Sequence, residues 1–198
     1  MSSIVVAGDT SGSVTISAPA VAGTPTLTLP TTSGTIYVSG GALGTPASGT
    51  LTNCTGYPAS ALPTGSVLQV VSATSQSAQA TTTSTSYVTT GFSASITPSS
   101  SSNKVLVLLS ALGRNGSGGQ AFYTMYRGAT DLASVRSFKQ LYNPSAGVLD
   151  GAIDMSILDS PSSTSSVTYT VYFKGSAGTT YFGLDNSMVS LTLMEIKG

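Results

Sequence analysis

Charge is distributed very unevenly along the 198 residues of this chain. One charged side chain, that of Asp9, lies between Met1 and Asn103, whereas the remainder from Lys104 onward carries the other thirteen charges. The first third is a neutral polymer of Ser, Thr, Gly, Ala and Pro in which aliphatic residues recur at alternating positions. Disordered arms are usually charged and poor in aliphatic residues. We therefore expect an extended N-terminal segment that is ordered by contacts outside itself.

The composition predicts an all-β fold. Ser, Thr and Gly are abundant, and these residues disfavour helix interiors. No stretch keeps apolar residues at helical spacing for more than about one turn, whereas short alternating runs between turn sequences occur throughout.

Residues 1–64 are predicted to form an extended arm. The runs at 3–7 and 13–17 read as two short strands around a Gly-Asp-Thr-Ser-Gly turn, and residues 24–30 alternate Thr with Leu. Such a segment buries too little apolar surface by itself to offset its ordering entropy. We expect a homotrimer whose arms intertwine about a shared axis. The residues predicted to line that axis are Ile4, Val6, Val14, Ile16, Leu27 and Leu29.

Residues 65–198 are predicted to form a compact head, with the boundary at the turn residues 63–65. Eight or so strands follow at a spacing typical of a β-sandwich or jelly roll. The most apolar run, 104–113, predicts a central strand buried on both faces, and residues 147–159 predict a single strand.

Catalytic and metal chemistry find little support in the composition. The chain has no histidine, which removes the commonest general base and metal ligand. Its single cysteine, Cys54, can form no intrachain disulfide, and its neutral surroundings favour a structural thiol. Asp150, Asp154 and Asp159 lack calcium-loop spacing and are expected to be solvated. We expect no enzyme activity, no cofactor and no metal site.

Several classes of partner are also disfavoured. The net charge is zero and the bases do not cluster, so we expect no nucleic-acid binding. No apolar run approaches the roughly 20 residues of a membrane span. The first ten residues lack the pattern of a signal peptide, so we expect synthesis in a cytoplasm.

Two turn-like loops of the head, 115–119 and 141–147, combine small flexible residues with groups suited to binding a partner. The candidate contact residues are Arg114, Asn115, Tyr142 and Asn143. A loop-borne tyrosine can stack on a sugar ring and bond its hydroxyls. Ion pairing is the commoner role for Arg114 and Arg127, and packing is the commoner role for the tyrosines.

Two kinds of segment then resemble known proteins. The runs VTISAPAVAGTPTLTLPTTSGTI and SGGALGTPASGTLTNCTGYPASALPTGSVLQVV resemble segments of tail-fibre and other virion structural proteins of tailed bacteriophages. The runs YVTTGFSASITPSSSSNKVLVLLS and SLTLMEIKG are similar to the terminal head domains of marine and cyanobacterial phage fibres. Together the similar segments cover nearly the whole chain.

The resemblance implies a trimeric virion component, made in the host cytoplasm, with an intertwined stalk and a β-sandwich head. Its partners are implied to be itself, other tail or capsid proteins, and a glycan or protein of the host surface. The leading hypothesis is a short fibre whose arm attaches to the particle and whose head contacts the host cell. The alternatives are a capsid decoration or head-fibre protein without a receptor, and a glycan-degrading tailspike.

Overall fold

The computed structural model describes residues 3–7, 10–17, 58–116, 118–133, 136–184 and 186–198. The chain divides into two compact units, Met1–Asn53 and Cys54–Gly198. This division falls earlier than the predicted boundary after Thr64, which stays a prediction. Leu27, Leu29, Cys54 and the predicted Thr/Leu strand at 24–30 lie outside the described residues.

The described part of the first unit is a two-stranded antiparallel hairpin. Its strands are β1 (Ser3–Ala7) and β2 (Ser13–Ser17), which confirms the two strands predicted there. The register sets Ile4 opposite Ile16 and Val6 opposite Val14.

The second unit is built from antiparallel strands, and no α-helix occurs among the residues described. The all-β prediction is therefore confirmed. A short 3-10 turn, Ala59–Ala61, precedes the first strand. The strands are β3 (Val67–Ser75), β4 (Ala80–Thr82), β5 (Val88–Ile96), β6 (Lys104–Ser110), β7 (Leu112–Asn115), β8 (Gly119–Arg127), β9 (Thr130–Asp131), β10 (Lys139–Asn143), β11 (Leu149–Ala152), β12 (Met155–Asp159), β13 (Val167–Gly175), β14 (Thr180–Phe182) and β15 (Val189–Ile196).

These strands form three sheets. One sheet has the order β12-β6-β15-β3, and a second has the order β11-β7-β14-β4. The third has the order β10-β8-β13-β5, with β9 paired to β8. Each strand of the first sheet is continued along the chain by the strand at the same place in the second sheet. The continuous pairs are β3 with β4, β6 with β7, β11 with β12 and β14 with β15.

Two segments that were predicted to be single continuous strands are each divided into two strands, so these predictions are wrong. The run 104–113 divides into β6 and β7 at Ala111, and the run 147–159 divides into β11 and β12 at Ile153. The two breaks are joined, because the Ile153 amide donates to the Ala111 carbonyl at 3.0 Å and both residues are buried. The expectation that β6 is buried on both faces is also wrong, since Leu106 and Leu108 are only half-buried.

A single apolar core is shared by the sheets of the second unit. Side chains alternate along each strand, so that every second residue faces the core. On β13, for example, Tyr169, Val171 and Phe173 are buried, while Tyr172 and Lys174 between and beyond them are partly exposed. The other core members include Ile96, Val105, Val107, Leu109, Tyr123, Met125, Phe182, Leu191 and Leu193.

One buried carboxylate closes an end of this core. Glu195 on β15 is 1% exposed, and its oxygens accept bonds from the Gln69 amide at 2.6 Å and from the Ser99 backbone amide at 2.6 Å. The Ser99 hydroxyl and the Asn103 amide also donate to it. Burial opposes ionisation, but these bonds hold the pKa of Glu195 below its usual value.

The start of β3 is held against the end of β15. The Gly65 amide donates to the Lys197 carbonyl at 2.9 Å, and the Lys197 amide donates to the Ser66 carbonyl at 2.9 Å. The Lys197 ammonium also donates to the carbonyls of Ser60, at 2.8 Å, and Leu62. The residues just before β3 therefore belong structurally to the head.

Candidate functional site

Arg114 forms an ion pair on the surface of the head. Its Nε donates to Asp150 Oδ1 at 2.5 Å and its Nη2 to Oδ2 at 2.9 Å, so the contact is bidentate. The hydrogen bond from Arg114 lowers the pKa of Asp150 below its usual value. The predicted pairing of Arg114 with an acid is confirmed.

Strand register extends this pair into a row across four strands. Asp150 on β11 lies opposite Arg114 on β7, Arg114 lies opposite Tyr181 on β14, and Tyr181 lies opposite Thr81 on β4. The guanidinium carbon of Arg114 is 5.7 Å from the centroid of the Tyr181 ring. The chain neighbours of Arg114, Gly113 and Asn115, are buried, so these four side chains, the Arg114 row, face away from the core.

A shallow depression of about 170 Å³ lies beside the Arg114 row. Ligand pockets for drug-sized molecules usually measure about 300–1,000 Å³, so this one suits a small surface contact. Its polar groups include the Arg114 guanidinium, which the Asp150 carboxylate already neutralises, the Tyr181 phenol and the Gln79 amide. These groups suit a neutral polar ligand. The lining residues are Gln79, Ala80, Thr81, Arg114, Tyr181, Gly183 and Leu184.

The second predicted contact, Tyr142, lies elsewhere. It is on strand β10 rather than in a loop, which corrects its predicted position, and its side chain is 58% exposed. Its neighbours Leu141 and Asn143 are buried, so Tyr142 faces outward from the sheet that contains β8 and β13. The structure therefore does not bring Tyr142 and Arg114 together.

The two predicted asparagines lie beneath the surface. Asn115 is 0% exposed and its amide donates to the Gly119 carbonyl at 2.9 Å. Asn143 is 6% exposed, donates to the Gly147 carbonyl and accepts from the Ser145 amide. Both side chains hold their own turns together, so neither is displayed to a partner in this structure.

A cluster of aromatic and basic side chains, which the sequence did not single out as a site, covers the outer face of β8 and β13. The Lys174 ammonium is 4.4 Å from the centroid of the Tyr87 ring and 5.5 Å from that of Phe122, and Arg136 lies 5.4 Å from Phe122. The rings of Tyr126 and Tyr172 stack at 4.1 Å, and Tyr87 meets Tyr126 edge-on at 6.4 Å. We call these six residues the Lys174 cluster.

The remaining tyrosines and acids are mostly structural. Tyr123 and Tyr169 are fully buried, as expected for core packing. The expectation that Asp159 is solvated is wrong. Asp159 is buried, receives two bonds from Arg127 Nη1 at 2.7 and 2.8 Å, and accepts a third from the Tyr169 hydroxyl at 2.7 Å. The predicted pairing of Arg127 with an acid is thereby confirmed.

No group of three or more His, Cys, Asp or Glu residues in the described ranges is placed to hold a metal ion. The same part of the chain contains no helix long and apolar enough to cross a membrane.

Four of the six residues predicted for the trimer axis lie on the N-terminal hairpin. Ile4 and Val6 on β1 are 66% and 55% exposed, and the register places Val14 and Ile16 opposite them on β2. Between the two exposed residues, Val5 is 59% exposed.

No protein-family model matches the chain, and no curated protein matches it either.

Proposed function

We propose that the chain is a structural virion protein of a tailed bacteriophage, a short trimeric fibre without catalytic activity. In this proposal the N-terminal arm attaches to the particle and forms the trimer, and the head contacts the host cell surface. The similarity of nearly the whole sequence to phage virion segments supports this role, as does the neutral, hydroxyl-rich arm.

The observation that carries the proposal is the uncovered hairpin at the N-terminus. Ile4, Val5 and Val6 are each more than half exposed. A two-stranded hairpin is marginally stable by itself in water, and three adjacent exposed branched aliphatics add an unfavourable contact with solvent. A surface of other copies, or of a particle protein, would cover them. Cyclic symmetry brings identical apolar residues together about one axis.

We infer a jelly-roll topology for the head. If β3 with β4, β6 with β7, β11 with β12, and β14 with β15 are taken as four bent strands, and the two-residue β9 is set aside, eight strands remain in two facing layers. Jelly rolls contain eight strands in two sheets. The shared apolar core also supports this arrangement.

We propose the Arg114 row as one contact with the host surface. Tyr181 supplies a ring beside a bidentate ion pair, and Gln79 borders the same depression. A site this shallow would bind weakly, in the millimolar-to-micromolar range. Three heads on one fibre, repeated on a particle, would raise the effective affinity by about 10²–10⁴ through multivalency.

The arm is tested by the oligomeric state of the full-length chain. The test variant carries Ile4→Asp and Val6→Asp, and the control carries Thr10→Asp and Ser11→Asp, which add the same charge at exposed polar positions of the turn. We expect light scattering to find trimers for the unmodified protein and the control, and monomers with a folded head for the test variant. An unmodified protein that is monomeric at micromolar concentration would contradict the proposal.

Labelling the protein on intact particles tests its position. Label at the tail supports the fibre, label over the capsid supports the decoration alternative, and particles without label refute both. Incubation with host polysaccharide tests the absence of catalysis, since release of reducing ends would indicate a tailspike.

The head contact is tested by adsorption to host cells. Tyr181→Ala should weaken adsorption about tenfold, whereas Thr74→Ala, an exposed residue of β3, should leave it unchanged. Parallel Arg114→Ala and Tyr142→Ala variants measure the two contacts predicted from the sequence. Equal adsorption by all four trimeric variants would remove the receptor role from both surfaces.

A further inference from the structure

Two basic side chains of the Lys174 cluster share one aromatic ring. The Lys174 ammonium and the Arg136 guanidinium lie 5.5 and 5.4 Å from the centroid of Phe122. Within the described ranges neither is paired with a carboxylate, and Arg136 Nη2 donates to the neutral Gln120 amide oxygen at 2.9 Å. Two cations held against the same ring make the local potential positive and favour the approach of an anion.

The nearby acid, Asp131, forms no ion pair with these cations in the part of the chain that the structure describes. Asp131 Oδ1 accepts bonds from the Thr124 hydroxyl at 2.6 Å and from the Ala133 amide at 3.0 Å. These neutral donors hold the carboxylate in the β8–β9 turn without removing its charge. Two cations beside one carboxylate still leave this part of the head with an excess of positive charge.

The aromatic members are arranged before any ligand arrives. Tyr126 and Tyr172 stack on one another, and the Tyr87 hydroxyl donates to the Arg136 carbonyl, which fastens the segment that carries Arg136 to the sheet. Tyr87, Tyr126 and Tyr172 are each partly exposed. Preorganised side chains lose less entropy on binding than mobile ones.

The cluster thus offers positive charge, partly exposed ring surfaces and phenol hydroxyls on one face. A matching ligand carries a negative group, an apolar C–H face that packs on a ring, and hydroxyls that bond to the phenols. We propose that the Lys174 cluster binds an acidic sugar unit of a polysaccharide, through a carboxylate or sulfate group. A single-stranded nucleic acid also stacks on aromatic rings, but two cations are few for a backbone of phosphates and the net charge of the chain is zero.

This inference deepens the proposed function, because it names a class of surface receptor, and it rests on that function only for its biological setting. The site can be tested on the purified full-length protein. If the protein binds no acidic sugar, the proposed location on the particle is not affected. If the protein is absent from particles, the sugar-binding site can still be present.

The experiment is a titration of four polymers: polygalacturonate, dextran sulfate, neutral dextran and oligothymidylate. The test variants are Lys174→Met, which keeps an apolar stem against Tyr87 and Phe122, and Arg136→Gln. The control is Lys104→Met, which removes an exposed lysine from β6 in another sheet. Thermal melting verifies that each variant is folded, and the exposed Arg136 provides a usable variant even if the Lys174 change destabilises the head.

We expect at least one acidic polysaccharide to bind and neutral dextran not to bind. Each test variant should lose about tenfold in affinity, the control should stay within about twofold, and added salt should weaken binding. Comparison of polygalacturonate with dextran sulfate identifies the anionic group. The proposal is overturned by no binding to either acidic polymer, by an equal loss in the Lys104→Met control, or by tighter binding of oligothymidylate.

Discussion

Replacement of the buried carboxylate by its amide, Glu195→Gln, tests the polar network at the end of the core. One carboxylate oxygen accepts from the Ser99 amide, the Ser99 hydroxyl and the Asn103 amide, and the other accepts from Gln69. In the variant a neutral carbonyl can still accept the first three bonds, but these lose their charge assistance. The new NH₂ group must then face the Gln69 NH₂, so two donors meet.

Rotation of the Gln69 amide does not solve this conflict. Its NH₂ also donates to the Thr97 carbonyl at 2.7 Å, and a rotated amide would place oxygen against oxygen there. A buried donor or acceptor left unsatisfied costs about 1–3 kcal/mol, and charge-assisted bonds are about twice as strong as neutral ones. We therefore expect the free energy of unfolding to fall by about 3 kcal/mol at pH 7, or Tm by about 6–12 °C for a chain of this size.

The penalty should also depend on pH, with a sign set by the pKa of Glu195. Because the folded state lowers this pKa below the ordinary value of 4.5, the ionised carboxylate contributes its full stability above that value. This contribution is lost as the pH falls from about 4.5 through the lower folded pKa, so the difference between wild type and variant should shrink there.

Urea denaturation from pH 7 to pH 2 measures both effects. Asp150→Asn is the matched control, because its carboxylate is 48% exposed and surface ion pairs contribute about 0–1 kcal/mol. A Glu195→Gln penalty no larger than that of the control at pH 7, or one that does not change with pH, would refute the reasoning.

Three further predictions concern packing and titration in the head. Gly183→Ala should destabilise the fold by more than Gly91→Ala in thermal unfolding. Both residues have positive φ, but only at Gly183 would an added Cβ overlap a backbone oxygen, that of Ala78. Equal losses would contradict this. Tyr123→Phe should cost about 1–2 kcal/mol by urea denaturation, because the buried hydroxyl donates to the Tyr181 carbonyl at 2.7 Å, and an unchanged midpoint would count against that bond. Burial raises the pKa of Tyr87 to about 12, with a smaller contribution from Asp131. In a pH titration followed by tyrosinate absorbance, Tyr87→Phe should therefore remove a step near pH 12 and leave the steps near pH 10 unchanged.

Local pattern was enough to predict the parts of the fold that depend on neighbouring residues. The hairpin strands at 3–7 and 13–17 follow from alternating aliphatics around a Gly-rich turn, and the inward set on β13 follows from the two-residue period of a strand. The breaks at Ala111 and Ile153 were not predictable, because the apolar pattern runs through both. The two breaks occur at the same point of the paired strands, where a backbone bond joins the two residues, and these are distant in sequence.

Site residues were predicted less well for the same reason. Asn115 and Asn143 occur in turn-like sequences that suggest exposure, yet each is buried by a bond to a carbonyl of its own turn. No feature of the sequence around Asp159 predicts its contacts with Arg127 and Tyr169. The Lys174 cluster assembles residues from β8, β13 and two other segments, so only the register of the sheet reveals it.

The contact between β3 and β15 bears on how the head would carry mechanical force. The two strands pair along the whole of β3, and the residues before Gly65 leave from the end of β3 that lies beside Lys197. Tension applied before Gly65 and resisted by the far end of the head would act along the strand axis. The backbone bonds to β15 would then share the load in shear, instead of breaking one after another as they would if β3 were peeled sideways.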